Sequence, residues 1–139
     1  MKNLFKISLA LLLSGTLLLT GCGGGNGGGD NGGASEGETI KVGVNYELTG
    51  GVATYGSSSV DGIKLAIKQI NEAGGVLGKQ IELITSDNKS EPAEATSITT
   101  KMMTNDGVVA VLGPATTGNF KATIPVAEKN KIPVISGSA

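Results

Sequence analysis

The chain has 139 residues and a net charge of −1, from eleven basic and twelve acidic side chains, and it contains no histidine and no tryptophan. The basic residues are scattered, which argues against a nucleic-acid face, since that needs concentrated positive charge. Without histidine the commonest general base and the commonest zinc ligand are both missing. The chain opens on Lys2 and Lys6, followed by an apolar run, Ile7 to Leu19, with small residues before the sole cysteine, Cys22. That run is too short to span a bilayer comfortably and has the layout of an export signal over residues 1–21.

The stretch Leu19-Thr20-Gly21-Cys22 resembles the lipobox of bacterial lipoproteins. The resemblance implies cleavage before Cys22 and diacylglyceration of its thiol, so that acyl chains hold the protein at the bilayer. The alternative is an ordinary secreted protein in which Cys22 is a leftover thiol, exposed and unable to form an internal disulfide. Residues 22–38 then form a tether. GGGNGGGDNGGASEGE has nothing to bury, and about sixteen such residues span roughly 20–25 Å as a solvated coil. Gly23, Gly25 and Gly28 match a dinucleotide-loop pattern only by composition, because no strand precedes them.

Residues 39–139 are enough for one modest core. Thr39–Tyr46 and Gln80–Ser86 are β-branched runs, while Val108–Leu112 and Ile132–Ser136 are shorter and nearly continuous, as in buried strands. Between them the spacing is helical. Val60, Ile63, Ala66, Ile67 and Ile70 make the first stripe, with Ser57 to Ser59 as cap candidates and Gly74-Gly75 as the stop. Ser90 as cap, Pro92 in the first turn, inward Ala95, Ile98 and Met102, and a closing Gly107 make the second. Phe120, Ile124 and Ala127 make the third, with Pro125 expected to kink it.

The order βαβαβαβ predicts an α/β fold: a parallel sheet with helices on both faces, right-handed crossovers, and all strand C-termini on one edge. Small ligands bind at that edge, where strand order reverses. The residues expected there are Glu47 to Gly56, Asp87-Asn88, Gly113 to Asn119 and Gly137 to Ala139. Hydroxyls, small residues and amides dominate them, and such groups at helix N-termini suit a small carboxylate. Thr116 and Thr117 fit plain helix capping equally well. Asp87 reads first as an Asx-turn residue ordering the loop from Asn88 to Glu91.

Taken together, the signal, the lipobox and tether, IKVGVNYELTGGVATYG, GGVLGKQIEL, SDNKSEPAEA, VLGPATTGN and AEKNKIPVISGSA resemble the substrate-binding lipoproteins of branched-chain amino-acid ABC transporters, type I periplasmic binding proteins. The resemblance covers Ile40 to Ala139. It implies that residues 39–139 are most of the first of two lobes that close on an amino acid, and that the chain is an N-terminal fragment of a longer protein. It further implies that Tyr55 packs against the ligand, that Thr117 binds the α-carboxylate with Thr116 beside it, and that Ser138 and Ala139 grip the ammonium and carboxylate. An acidic partner for the ammonium would come from the second lobe.

The expected function is therefore ligand capture without chemistry. A monomer, lipid-anchored through Cys22 on the extracytoplasmic face of a bacterial membrane, would hand its amino acid to the ABC permease subunits, with no cofactor, no metal and no nucleic acid. The alternatives are a surface sensor or receptor lobe of the same fold, and a structural surface protein with no ligand. Gly74 to Gln80 is not a phosphate loop, since Ala73 stands where its first glycine belongs and Gln80 replaces Ser or Thr. No nucleophile with a base and no ligand cluster with metal spacing is present, which argues against hydrolase or metal chemistry.

Overall fold

The structure is a computed structural model and describes residues 38–139. The signal, Cys22 and nearly all of the tether read from the sequence lie outside the described residues. Four strands, β1 (Ile40–Tyr46), β2 (Ile81–Asp87), β3 (Ala110–Leu112) and β4 (Val134–Ile135), alternate with three helices, α1 (Ala53–Glu72), α2 (Pro92–Lys101) and α3 (Thr117–Asn130). A π-turn over Met102–Asp106 extends α2 and ends on left-handed Gly107, the predicted stop. Pro92 takes the first helical position of α2, where its missing amide costs nothing.

All strand pairs are parallel, in the order β2-β1-β3-β4. The chain steps from β1 to β2 in one direction and then back across β1 to β3 and β4. With right-handed crossovers this puts α1 on one face and α2 and α3 on the other, so strand order reverses between β1 and β3. Alternation along β1 feeds both faces. Val44 and Tyr46 pack with Val60 of α1 and Ala115. Gly43 lies instead under Met102, within a second cluster that contains Met103, Val108 and Val111. Each buried valine contributes about 1.5–3 kcal/mol.

The second face also carries buried polar contacts. Asn45 Nδ2 donates to Ala95 O and Thr99 Oγ1, both at 2.9 Å, and Asn45 Oδ1 accepts from Asn88 Nδ2 at 3.1 Å. Among the described residues no buried side-chain nitrogen or oxygen lacks a partner, so these groups meet their desolvation cost in full. No described helix is long and apolar enough to cross a membrane.

Several expectations need correction. Helix α1 begins at Ala53, so Ser57 to Ser59 lie inside it and cap nothing; its start is set by the loop before it, whose Val52 amide donates to Ser90 Oγ. Ala66 and Ile70 are exposed, because the face of α1 against the sheet is narrower than the apolar stripe. Glu91, not Ser90, is the N-cap residue of α2. The buried residues of α3 are Asn119 and Thr123, while Ile124 is exposed, because Asn119 is drawn inward by a hydrogen bond to Glu47. Strands β3 and β4 are shorter than the apolar runs that hold them.

Candidate functional site

The C-terminal ends of the strands share one rim, and the loops after β1 and β3 diverge there to opposite faces. Between them lies an open cavity of about 290 Å³, lined by Val52, Tyr55, Ala115, Thr116, Thr117 and Ser138. That is the small end of the range for ligand pockets, roughly 300–1,000 Å³. Of the residues expected from the sequence, Tyr55, Thr116, Thr117 and Ser138 converge on this cavity. Ala139 is not among its lining residues, and its amide donates to Ser136 Oγ at 3.0 Å. Tyr55 is 70 % exposed and stands at the mouth.

Glu47 organises one wall. It follows β1 directly, is fully buried, and receives only donors: Ala115 N on Oε2 at 2.9 Å, and Thr116 N (3.2 Å), Thr116 Oγ1 (2.9 Å) and Asn119 Nδ2 (2.9 Å) on Oε1. Burial pushes its pKa up, but the Ala115 amide, the Thr116 hydroxyl and the amides of Glu47 and Thr116 outweigh it and hold the carboxyl below its ordinary value. The group is a carboxylate at the positive end of α3. Thr116 occupies the N-cap position, yet its hydroxyl makes no cap bond and goes to Glu47.

Close backbone approach fixes the same wall. Gly56 of α1 sits so near Glu47 that a Cβ would collide with the Glu47 carbonyl. Gly113, at φ +92°, lies against the Asn45 carbonyl and the Tyr46 ring. Neither position has room for a side chain.

A second carboxylate fixes the loop that leads into α1 and Tyr55. Asp87 Oδ1 accepts from Leu48 N (2.9 Å), Thr49 N (3.1 Å) and Lys89 N (2.8 Å), and Oδ2 accepts from Thr49 Oγ1 (2.6 Å). Burial raises its pKa, but the Thr49 hydroxyl and the amides of Lys89, Leu48 and Thr49 bring it down to about 2. The Lys89 bond is the expected Asx-turn; the bonds to Leu48 and Thr49 tie two loops together. Ser90 Oγ adds a bond to Thr49 O at 2.9 Å.

At the fourth loop Ser136 Oγ donates to Pro114 O at 2.7 Å and accepts from Ser138 N and Ala139 N. Ser138 Oγ donates to Ala115 O at 2.9 Å. Thr117 is the first residue of α3 and exposed, and the opening amides of a helix have no intrahelical acceptor. Among the described residues no three His, Cys, Asp or Glu side chains are grouped to hold a metal ion. Sequence reasoning placed Glu47 on the rim but gave it no role. The available signal was an acidic residue directly after a buried strand.

Comparison with known proteins agrees with this architecture. A family model described as periplasmic binding protein matches residues 39–139. A leucine-, isoleucine-, valine-, threonine- and alanine-binding protein of Pseudomonas aeruginosa is 35% identical over 102 residues, which is 73% of this chain and 27% of that protein. A branched-chain amino acid transporter substrate-binding protein of Streptococcus pneumoniae, solved in complex with isoleucine, superposes with a TM-score of 0.72 at 50% identity, covering 73% of this chain and 29% of that one. A solute-binding protein of an ABC transporter from Rhodopseudomonas palustris, in complex with 3,4-dihydroxybenzoic acid, gives a TM-score of 0.68 at 34% identity, over 73% and 27% of the two chains. The chain thus spans about a quarter of the length of the relatives it matches. With a family match over all but one of the described residues and the same parallel α/β lobe in its relatives, the chain belongs to the periplasmic binding protein family.

Proposed function

We propose that residues 39–139 are the first ligand-binding lobe of an extracytoplasmic substrate-binding lipoprotein, which captures a small amino acid, branched-chain by preference, and delivers it to the permease of an ABC importer. The carrying observation is the convergence of Tyr55, Thr116, Thr117 and Ser138 on one cavity at the reversal of strand order. Ligand-binding roles go to these four residues, and Ala139 joins them once a second lobe closes over the rim. Residues 1–21 are the signal peptide, and residues 22–38 the lipidated Cys22 and its tether.

The amino-acid assignment draws on the isoleucine complex of the 50% identical relative. The dihydroxybenzoic acid complex favours a broader second reading, a small organic acid. Both ligands carry a carboxylate, which suits the head of α3. Calorimetry on the intact protein with leucine, isoleucine and valine tests the assignment. Micromolar or tighter binding is expected, and at a hundred times the dissociation constant the ligand adds about 2.7 kcal/mol of stability. Absence of heat and of thermal stabilisation with all three amino acids sinks it. The anchor is tested alongside by a palmitate analogue, whose label is lost in Cys22→Ala.

A further inference from the structure

Two hydroxyls on the cavity wall have already given away their only proton. Thr116 Oγ1 lies 2.9 Å from Glu47 Oε1, and that carboxylate, holding only donors, has no proton to offer. The hydrogen in the Thr116–Glu47 contact is therefore the threonine's. Ser138 Oγ lies 2.9 Å from the Ala115 carbonyl, which cannot donate either. Each hydroxyl keeps lone pairs able to accept, and both residues line the cavity. Thr117, the next residue after Thr116, also lines the cavity; it begins α3 and offers amide and hydroxyl donors.

We infer that Glu47 is a positioning residue that gives the pocket its polarity: by taking the Thr116 proton it turns Thr116 Oγ1 into an acceptor, which with Ser138 Oγ receives the ammonium of the ligand and leaves the donor side at Thr117 to the carboxylate. The inference rests on the amino-acid reading above and adds what selects for the amino group. Glu47 never touches the ligand. It is buried behind Thr116, and all of its contacts are to the protein. Its charge adds to the preference, since an anion one hydroxyl away attracts an ammonium and repels a misplaced carboxylate.

The test uses the intact protein and two probes of one shape: leucine, and 4-methylpentanoate, which lacks only the amino group. In Thr116→Val, which keeps the volume and removes the acceptor, leucine affinity falls tenfold or more and 4-methylpentanoate affinity changes less than twofold. Thr116→Ser restores leucine to within threefold. Glu47→Gln keeps an oxygen toward Thr116 N, Thr116 Oγ1 and Asn119 Nδ2 but removes the charge behind the hydroxyl, so the leucine-to-4-methylpentanoate ratio falls at least threefold. This ratio does not depend on the folded fraction, so a lowered stability does not imitate it. Equal losses for both probes in Thr116→Val, or an unchanged ratio in both Thr116→Val and Glu47→Gln, overturn the inference while leaving the amino-acid reading in place. Wild-type protein that binds no amino acid overturns both.

Discussion

At the C-terminal rim of the sheet, buried or half-buried side chains reach far along the sequence: Glu47 to Ala115, Thr116 and Asn119, and Asp87 back to Leu48 and Thr49, with separations of 38 to 72 residues. The opposite rim is held by local means. Asn71 clasps Ile81 with two bonds, Ile81 N to Oδ1 and Nδ2 to Ile81 O, only ten residues away, and a turn closes Val76 on Lys79. Its long-range ion pair, Lys79 to Glu38, is exposed on both sides and screened by solvent. The rim that borders the cavity is thus fixed by charge-assisted bonds between loops, while the other is held mainly by short-range side-chain and turn bonds, with its long-range polar contacts exposed. A binding surface made of loops must be held still by something other than a ladder, and two carboxylates do that here.

The sharpest way to break this contrast is Glu47→Gln. The side-chain amide would point one donor at another where Glu47 now accepts from Ala115 N, and the Asn119 and Thr116 bonds would lose their charge. Hydrogen bonds to buried charge contribute about 1.5–3 kcal/mol each and an orphaned donor costs about 1–3 kcal/mol, so a loss of about 3–5 kcal/mol is expected. Urea unfolding of the intact protein measures it. A loss below 1 kcal/mol would mean that the loop after β3 stands without its carboxylate.

Asp87→Asn should cost less, about 1–2 kcal/mol. Asparagine Oδ1 keeps the three amide bonds in neutral form, and its Nδ2 finds the Thr49 hydroxyl as acceptor. The stronger signature is in acid. Asp87 sits at about 2 when folded, against about 3.9 in an unfolded chain. The unfolded chain binds the proton first, so the stabilising effect of Asp87 is whole above about pH 4 and disappears as pH falls toward 2. Glu47, also held below its ordinary value, acts with the same sign. Stability measured from pH 5 to pH 2 should therefore fall less steeply in Asp87→Asn than in wild type. Equal slopes would show that Asp87 is not the ionised hub of its loops.

The same contrast explains which parts of the fold could be read from sequence. The parallel βαβαβαβ order, the stops at Gly74-Gly75 and Gly107, and Pro92 at the head of α2 follow from periodicity and local backbone rules, and each is where local physics puts it. The start of α1 and the buried face of α3 were misread, because Ser90 sets the first through the Val52 amide and Glu47 sets the second through Asn119. A polar residue buried by a partner 72 positions away leaves no periodic trace. For the site, Tyr55, Thr116, Thr117 and Ser138 were legible as rim residues because topology alone brings them there. The role of Glu47 was not, since a lone glutamate after a strand reads as solvated until the donors around it are seen.

On the opposite rim the smallest effect is expected, and with the opposite sign. Val76 and Lys79 exchange both backbone bonds, at 2.8 and 3.0 Å, around Leu77 at φ 52° and Gly78 at φ 75°. Two consecutive positive φ values are the signature of the mirror-image two-residue turn that favours Asn-Gly. Leucine tolerates that conformation poorly, and here it is 94 % exposed, so it gains no burial in return. Leu77→Asn should therefore stabilise the protein by about 0.5–1 kcal/mol and leave leucine affinity unchanged, since the cavity lies at the other end of the strands. Thermal unfolding with and without leucine reads both quantities at once. A lower melting temperature would mean that Leu77 is covered in solution and that this rim, too, depends on a contact from afar.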